Sequence, residues 1–315
     1  MTARALMNRK GLRLVAVNDI ADAATLMHLF KYDSVHGKFN GEIGNEGGSV
    51  QINGMDVAFY SESQASAIPW SKHRVDVVLE CSGKFKNWEE TSAHLKAGAP
   101  KVIISAPSSD PAIKMVVLGV NDGILDGTEQ IISNASCTTN NAAPLIQLID
   151  ELCGINSCYI TTIHSYTGDQ RLHDAPHPDL RRARAAAQSI VPTTTGAAKA
   201  LTRIFPNLAG AMGGCGIRVP VPDGSLTDIT CSVQKVPSVE AINEAFKIAA
   251  SSRYAGILEY TEDPVVSVDV LGNPHSCLFD AQLTSVIGNM VKVVGWYDNE
   301  IGYSNRMLDL AQKWV

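Results

Sequence analysis

The first 134 residues alternate short apolar runs with helical patterns, and this constrains the fold more than any other feature. LRLVAVND (Leu12 to Asp19), VDVVLECSG (Val75 to Gly83), KVIISAP (Lys101 to Pro107), MVVLGVN (Met115 to Asn121) and QIISN (Gln130 to Asn134) are each apolar and end in turn residues. Runs of that length and content predict buried strands. MTARALMNRK, stopped by Gly11, and TSAHLKAG (Thr91 to Gly98) predict helices with glycine stops. Strand alternating with helix implies parallel βαβ units and a doubly wound sheet.

After Cys137 the texture changes. CYITTIHSYT, IRVPVP, SLTDITCSVQKV, LTSVIGNMVKVVGWYD and the short VVSVDV predict strands with fewer helices between them. SVEAINEAFKIAA (Ser238 to Ala250) and the closing YSNRMLDLAQKWV predict amphipathic helices. This half reads as an α+β domain with a mixed sheet. At 315 residues the chain exceeds one core. We expect domains at 1–136 and 137–301, with a helix at 302–315 packing back on the first.

Composition narrows the function. Hydrophobic residues are 45% and charged residues 18%, the profile of a globular enzyme, and the net charge of −6 argues against a nucleic-acid or anionic-membrane surface. No apolar run approaches the roughly 20 residues that span a bilayer, and the opening residues carry no signal-peptide h-region. The cysteines are Cys81, Cys137, Cys153, Cys158, Cys215, Cys231 and Cys277, an odd set without a CxxC pair. That gives no zinc or disulfide framework, predicts no metal, and fits a reducing cytoplasm.

The chemistry gathers around SNASCTTNNAAPLIQLIDEL. Ser136 is placed to cap a helix starting near Thr138, leaving the Cys137 sulfur beside free N–H groups and the positive dipole end. We expect that placement to lower the thiol pKa and favour the thiolate. A lone cysteine is more often a small buried apolar residue, but His164 closes the apolar strand YITTIH. A histidine at a strand end could pair with the thiolate and act as base; its bland alternative is a hydrogen-bonded structural histidine. Ser136, Thr138 and Thr167 offer hydroxyls nearby. TTTGAAKA (Thr193 to Ala200) sets hydroxyls and a glycine at a helix start, and Arg181, Arg182, Arg184 and Arg218 offer guanidinium forks for phosphate oxygens.

SNASCTTN, HSYTGDQ, DLRRARAAAQSIVPTTTGAAKA, RVPVP and WYDNEIGYSNR occur in one order along the chain. Together they resemble the blocks of the phosphorylating glyceraldehyde-3-phosphate dehydrogenase family, in its bacterial and plastid style. The resemblance implies that Cys137 is the nucleophile and His164 its base. It implies that Ser136, Thr138, Thr167, Arg182, Arg184, Thr195, Gly196 and Arg218 hold the substrate phosphate and inorganic phosphate. It assigns Asp19 to the adenosine ribose, Ser82, Gly83 and Ser105 to the cofactor groove, Ser63 to the adenine end and Asn299 to the nicotinamide carboxamide. It further implies an α/β fold with a Rossmann sheet, a thiohemiacetal and acyl thioester on Cys137, a homotetramer, and a loop around 165–190 that reaches a neighbouring subunit.

The chain departs from the family in three places. Asn141 stands where many members have a second cysteine, and Ser63 where many have a basic residue. No GxGxxG occurs, and the opening residues resemble the helix that follows that loop. About fifteen residues, one central strand and the phosphate turn, are missing by this comparison. We therefore expect the Rossmann sheet to lack its first strand, and the functional protein to begin upstream of this Met1. The Asp19 carboxylate, which would repel a 2′-phosphate, predicts NAD with NADP at lower preference. The competing readings are an erythrose-4-phosphate dehydrogenase, less dependent on inorganic phosphate, and an inactive binding protein whose one supporting feature is the absent loop.

Overall fold

The computed structural model describes residues 1–46 and 49–315. The chain divides into two compact units: Met1–Lys114, Leu125–Asn134 and Met307–Val315 form the first, Met115–Ile124 and Ala135–Arg306 the second.

In the first unit, Ala16–Asn18 runs parallel to Met55–Tyr60, which continues antiparallel through Ser49–Ile52 to Ile43–Glu46. Val78–Glu80, Val102–Ile104 and Ile131–Ser133 form a second, parallel set. The parallel strands thus lie in two sheets: Ala16–Asn18 and Val78–Glu80 each end a ladder, and no described strand lies between them. Apolar packing holds the sets together, because Ala16 and Tyr60 pack on the cluster of Val78, Val102, Ile104 and Ile131. Helix Ala23–Lys31 is capped by Asp22, which accepts from Thr25 N, and helix Trp88–Lys96 by Asn87, which accepts from Glu90 N. Residues from Met307 onward join this unit through the Arg9–Asp309 ion pair and through Lys101, whose Nζ donates to the Trp314 carbonyl at 2.5 Å.

The second unit is built on one mixed sheet. Its order is Val191–Thr193, Met212–Val219, Ile155–Ser165, Ser225–Val233, Met290–Tyr297, Cys277–Asp280, Leu258–Thr261, with Ser285–Ile287 hairpinned onto Met290–Tyr297. Ile155–Ser165 is parallel to Met212–Val219 and antiparallel to Ser225–Val233. Helix Cys137–Cys153 belongs to the same core: Leu145, Ile146 and Ile149 cluster with Ile160, Ile229, Val291 and Val293, all fully buried. Burying side chains of this size stabilises by roughly 1.5–3 kcal/mol each before entropy is counted.

Several expected elements are corrected. The strand expected over Leu12–Asp19 spans only Ala16–Asn18, because the ladder to Met55–Tyr60 extends no further. Val75–Gly83 is strand only over Val78–Glu80, where the Glu80 carboxylate turns the chain by accepting from Ser82 N at 2.7 Å. Met115–Asn121 is largely a buried turn: Asn121 Oδ1 accepts from Val117 N and its Nδ2 donates to the Met115 carbonyl, replacing ladder bonds with side-chain bonds. VVSVDV becomes a 3₁₀ turn over Ser267–Val270, since the Asp269 carboxylate accepts from Val266 N. Its Val266 and Val268 are exposed, and only Val270 is buried.

Candidate active site

The position of Cys137 is set by a backbone turn. Ala135, fully buried, has φ +53°, a left-handed conformation costly for alanine, and its carbonyl accepts from Tyr303 Oη at 2.9 Å. The following Ser136 is extended and caps the helix, its Oγ accepting from Thr139 N at 3.1 Å. Cys137 is therefore the first helical residue, half-buried as a whole, with its sulfur at the helix N-terminus.

Strand register places His164. Ile155–Ser165 pairs with Met212–Val219 so that His164 sits opposite Arg218. His164 Nε2 lies 3.5 Å from Cys137 Sγ, and its Nδ1 lies 2.8 Å from the Ser165 carbonyl. Donation to that carbonyl would put the proton on Nδ1 and turn the Nε2 lone pair to the sulfur, whereas the approach of Arg218 Nη1 to Nδ1 favours the other tautomer. Arg218 Nη1 donates to the same carbonyl at 2.9 Å and approaches Nδ1 at 2.8 Å, setting positive charge against the ring. The Tyr297 ring meets the imidazole edge-on at 5.9 Å between centroids. Its buried hydroxyl joins Thr138 Oγ1 at 2.9 Å and Thr162 Oγ1 at 3.0 Å.

Burial, and then the Arg218 charge, push the His164 pKa down to about 3, so the imidazole is neutral and able to accept a proton. The thiol corrects our expectation. Burial raises the Cys137 pKa above its ordinary value, and this outweighs the lowering by the Thr138 N–H and by Arg218. The helix end acts in the expected direction, but desolvation wins. Both shifts run toward the neutral forms, thiol and imidazole. We expect alkylation of Cys137 by iodoacetamide to keep rising with pH beyond the ordinary thiol range; a plateau reached below pH 7 would contradict this.

Arginines frame the site unequally. Burial, and next the charge of Arg182, lower the Arg218 pKa. Arg182 is fixed by Nε donating to Thr193 Oγ1 at 2.9 Å, by Nη2 donating to the Thr194 carbonyl at 3.3 Å, and by an ion pair with Asp169. Arg184 instead pairs with Asp174 at 2.9 Å, its side chain 66% exposed, and Arg181 is exposed beside a depression lined by Asp179, Leu180 and Thr193. Thr195 Oγ1 accepts from Ala197 N at 3.2 Å where helix Ala197–Ile204 begins, with Gly196 as its N-cap residue. Thr167 is half-buried two residues past the strand end and turns the chain by accepting from Gln170 N. Thr138 is buried, its hydroxyl bonded to Tyr297.

The expected cofactor residues of the first unit lie just past carboxyl ends of parallel strands, where α/β sheets bind nucleotides. Asp19 follows Ala16–Asn18; its Oδ1 accepts from Ala21 N at 2.9 Å, and its Oδ2 has no partner among the described residues. Ser63 is exposed beyond Met55–Tyr60, where Asn18 clamps the Glu62 backbone from both sides. Ser82 and Gly83 (φ +72°) follow Val78–Glu80, and Ser105 follows Val102–Ile104. In the second unit Asn299 is half-exposed after Met290–Tyr297. Tyr297, Ser165 and Ser225 were not found from the sequence; the first two sit within WYDNE and HSYTGDQ, but their bonds depend on strands far apart in the chain.

Comparisons with known proteins agree with this geometry. Residues 1–88 match the family description "Glyceraldehyde 3-phosphate dehydrogenase, NAD binding domain", and residues 136–299 match "Glyceraldehyde 3-phosphate dehydrogenase, C-terminal domain". The chain is 52% identical over 306 residues to a glyceraldehyde-3-phosphate dehydrogenase of Mycobacterium avium, covering 95% of this chain and 89% of that protein. It is 50% identical over 301 residues to glyceraldehyde-3-phosphate dehydrogenase 1 of Streptomyces avermitilis, covering 95% and 90%. It is 51% identical over 300 residues to the Mycobacterium tuberculosis glyceraldehyde-3-phosphate dehydrogenase, covering 95% and 88%. Among the described residues no helix is long and apolar enough to cross a membrane.

Proposed function

Taking as premise that this chain belongs to the glyceraldehyde 3-phosphate dehydrogenase family, we propose that it oxidises glyceraldehyde 3-phosphate with NAD and inorganic phosphate to an acyl phosphate. The observation that carries this reading is Cys137 Sγ at 3.5 Å from His164 Nε2, beside Arg218. The sulfur attacks the aldehyde carbon while Nε2 takes the thiol proton, so both groups start neutral and charge develops only as the bond forms. Nε2 passes that proton to the alkoxide oxygen, giving the thiohemiacetal hydroxyl, and the imidazole, neutral again, then takes the hydroxyl proton as the hydride departs. The bound nicotinamide supplies the hydride acceptor, and a thioester is left on Cys137. Inorganic phosphate attacks the thioester carbonyl, the C–S bond breaks, and the acyl phosphate leaves the free sulfur.

Arg218 and Arg182 are the cations we assign to the two phosphates, with Thr167, Thr195, Gly196, Ser136 and Thr138 around them. Arg184, engaged with Asp174, is the weaker candidate of its cluster. The cofactor fits the residues present: Asp19 keeps an unbonded carboxylate oxygen for a ribose diol, and Asn299 keeps an unbonded amide nitrogen. Ser63, Ser82, Gly83 and Ser105 complete that assignment. We place the enzyme in the cytoplasm as a homotetramer, a reading supported by the exposed Leu172, Leu180 and Ile190 of the 165–190 loop.

The test is NADH formation from glyceraldehyde 3-phosphate with phosphate present and omitted. We expect phosphate-dependent turnover, at least about tenfold preference over erythrose 4-phosphate and a preference for NAD over NADP. Equal rates without phosphate would favour the erythrose 4-phosphate reading. No turnover with a correctly folded chain would favour the binding-protein reading.

A further inference from the structure

Asn299 presents an asymmetry that its sequence motif does not reveal. Its Oδ1 accepts two hydroxyls: Ser165 Oγ at 2.9 Å and Ser225 Oγ at 2.6 Å. Both serines are buried, at 0% and 1% exposure, so neither hydroxyl has water as an alternative partner. Ser225 Oγ already accepts from Ser165 N at 3.1 Å, which turns its single proton toward Asn299. Two buried O–H groups aimed at one atom require that atom to be oxygen; an NH₂ there would leave both protons without an acceptor. The Asn299 amide is therefore locked with its oxygen inward. Its Nδ2, on a half-exposed residue, bonds to no described residue.

We propose that Ser165 and Ser225 are positioning residues that fix Asn299 as a donor, so that its Nδ2 selects a carbonyl acceptor on the cofactor. The proposal rests on the reading of Asn299 as the group that meets the nicotinamide carboxamide. A freely rotating asparagine could offer oxygen or nitrogen and accept either orientation of that carboxamide. The locked one binds only the orientation that presents the carbonyl oxygen. Ser165 also links this lock to the base, since its carbonyl meets His164 Nδ1 and accepts from Arg218. One buried residue thereby touches the imidazole with its main chain and the amide with its side chain.

The experiment measures KM and kcat for NAD and for thionicotinamide adenine dinucleotide, whose sulfur is a poor acceptor. The variants are Ser165→Ala, Ser225→Ala, Ser225→Thr and Asn299→Ala. We expect each serine-to-alanine change to raise KM for NAD about 5- to 10-fold. The preference for NAD over the thio analogue should shrink, and Ser225→Thr should restore both. Loss of folding alone would lower the active fraction, and so kcat, without moving the ratio between the two cofactors. If Asn299→Ala raises KM while both alanine variants stay within about twofold of the parent with an unchanged ratio, the lock is overturned. If Asn299→Ala itself leaves KM for NAD unchanged, the carboxamide reading falls and the lock with it.

Discussion

Cys137→Ser should lower turnover about 10⁴-fold or more while leaving the fold intact. The substitution is nearly isosteric, and the helix cap, the Ala135 turn and the Tyr297 network do not involve the sulfur. What it removes is a nucleophile that can lose its proton to a neutral imidazole. A serine hydroxyl is far harder to deprotonate than a thiol, so the same imidazole takes its proton much less readily. His164→Asn should cost about 10²- to 10⁴-fold, since the thiol, raised by burial, then has no acceptor for its proton. The two losses should be strongly non-additive because the residues act as one unit. Steady-state kinetics of the single and double variants, with thermal unfolding as a control, measures this. A double variant as impaired as the product of the singles would show that the two work independently.

Gly224→Ala should destabilise the second unit by about 3 kcal/mol or more. Gly224 has φ +83°, and a Cβ there would meet the Ser267 carbonyl oxygen at 2.2 Å and its carbon at 2.9 Å. Both obstacles are main-chain atoms, so no side chain can rotate away. Relief would require moving either the 3₁₀ turn Ser267–Val270 or the start of strand Ser225–Val233. The second route shifts Ser225, and with it the bond to Asn299 Oδ1. We therefore expect both a lower denaturation midpoint and a raised KM for NAD, measured by denaturant unfolding and by kinetics. A variant with the parental midpoint would show that the Ser267 turn yields at little cost.

The active-site pair was legible because its signals are local. Ser136 and Cys137 precede a strongly patterned helix, and a capping serine followed by free N–H groups needs no distant contact to be read. His164 closes an alternating strand, so its place at a sheet end followed from periodicity. The misread segments fail for the opposite reason. MVVLGVN is apolar enough for a strand, but the Asn121 side chain satisfies the backbone groups that a ladder would have used. VVSVDV alternates correctly, yet Asp269 bonds back to Val266 and ends the pattern. In both cases one short polar side chain outcompeted the apolar pattern.

By itself, the sequence determined the α/β and mixed-sheet classes, the helix that presents Cys137, and the residue types able to bind an aldehyde phosphate and a dinucleotide. These follow from periodicity, capping and residue chemistry, which act over a few positions. Only the tertiary structure decided that Arg218 stands beside His164, that the Arg182 charge acts on Arg218 while Arg184 pairs with Asp174, and that two buried serines donate to Asn299 Oδ1. It also decided the direction of the Cys137 shift, because burial is a property of the packed unit and its desolvation outweighed the helix-end effect that the sequence had led us to expect.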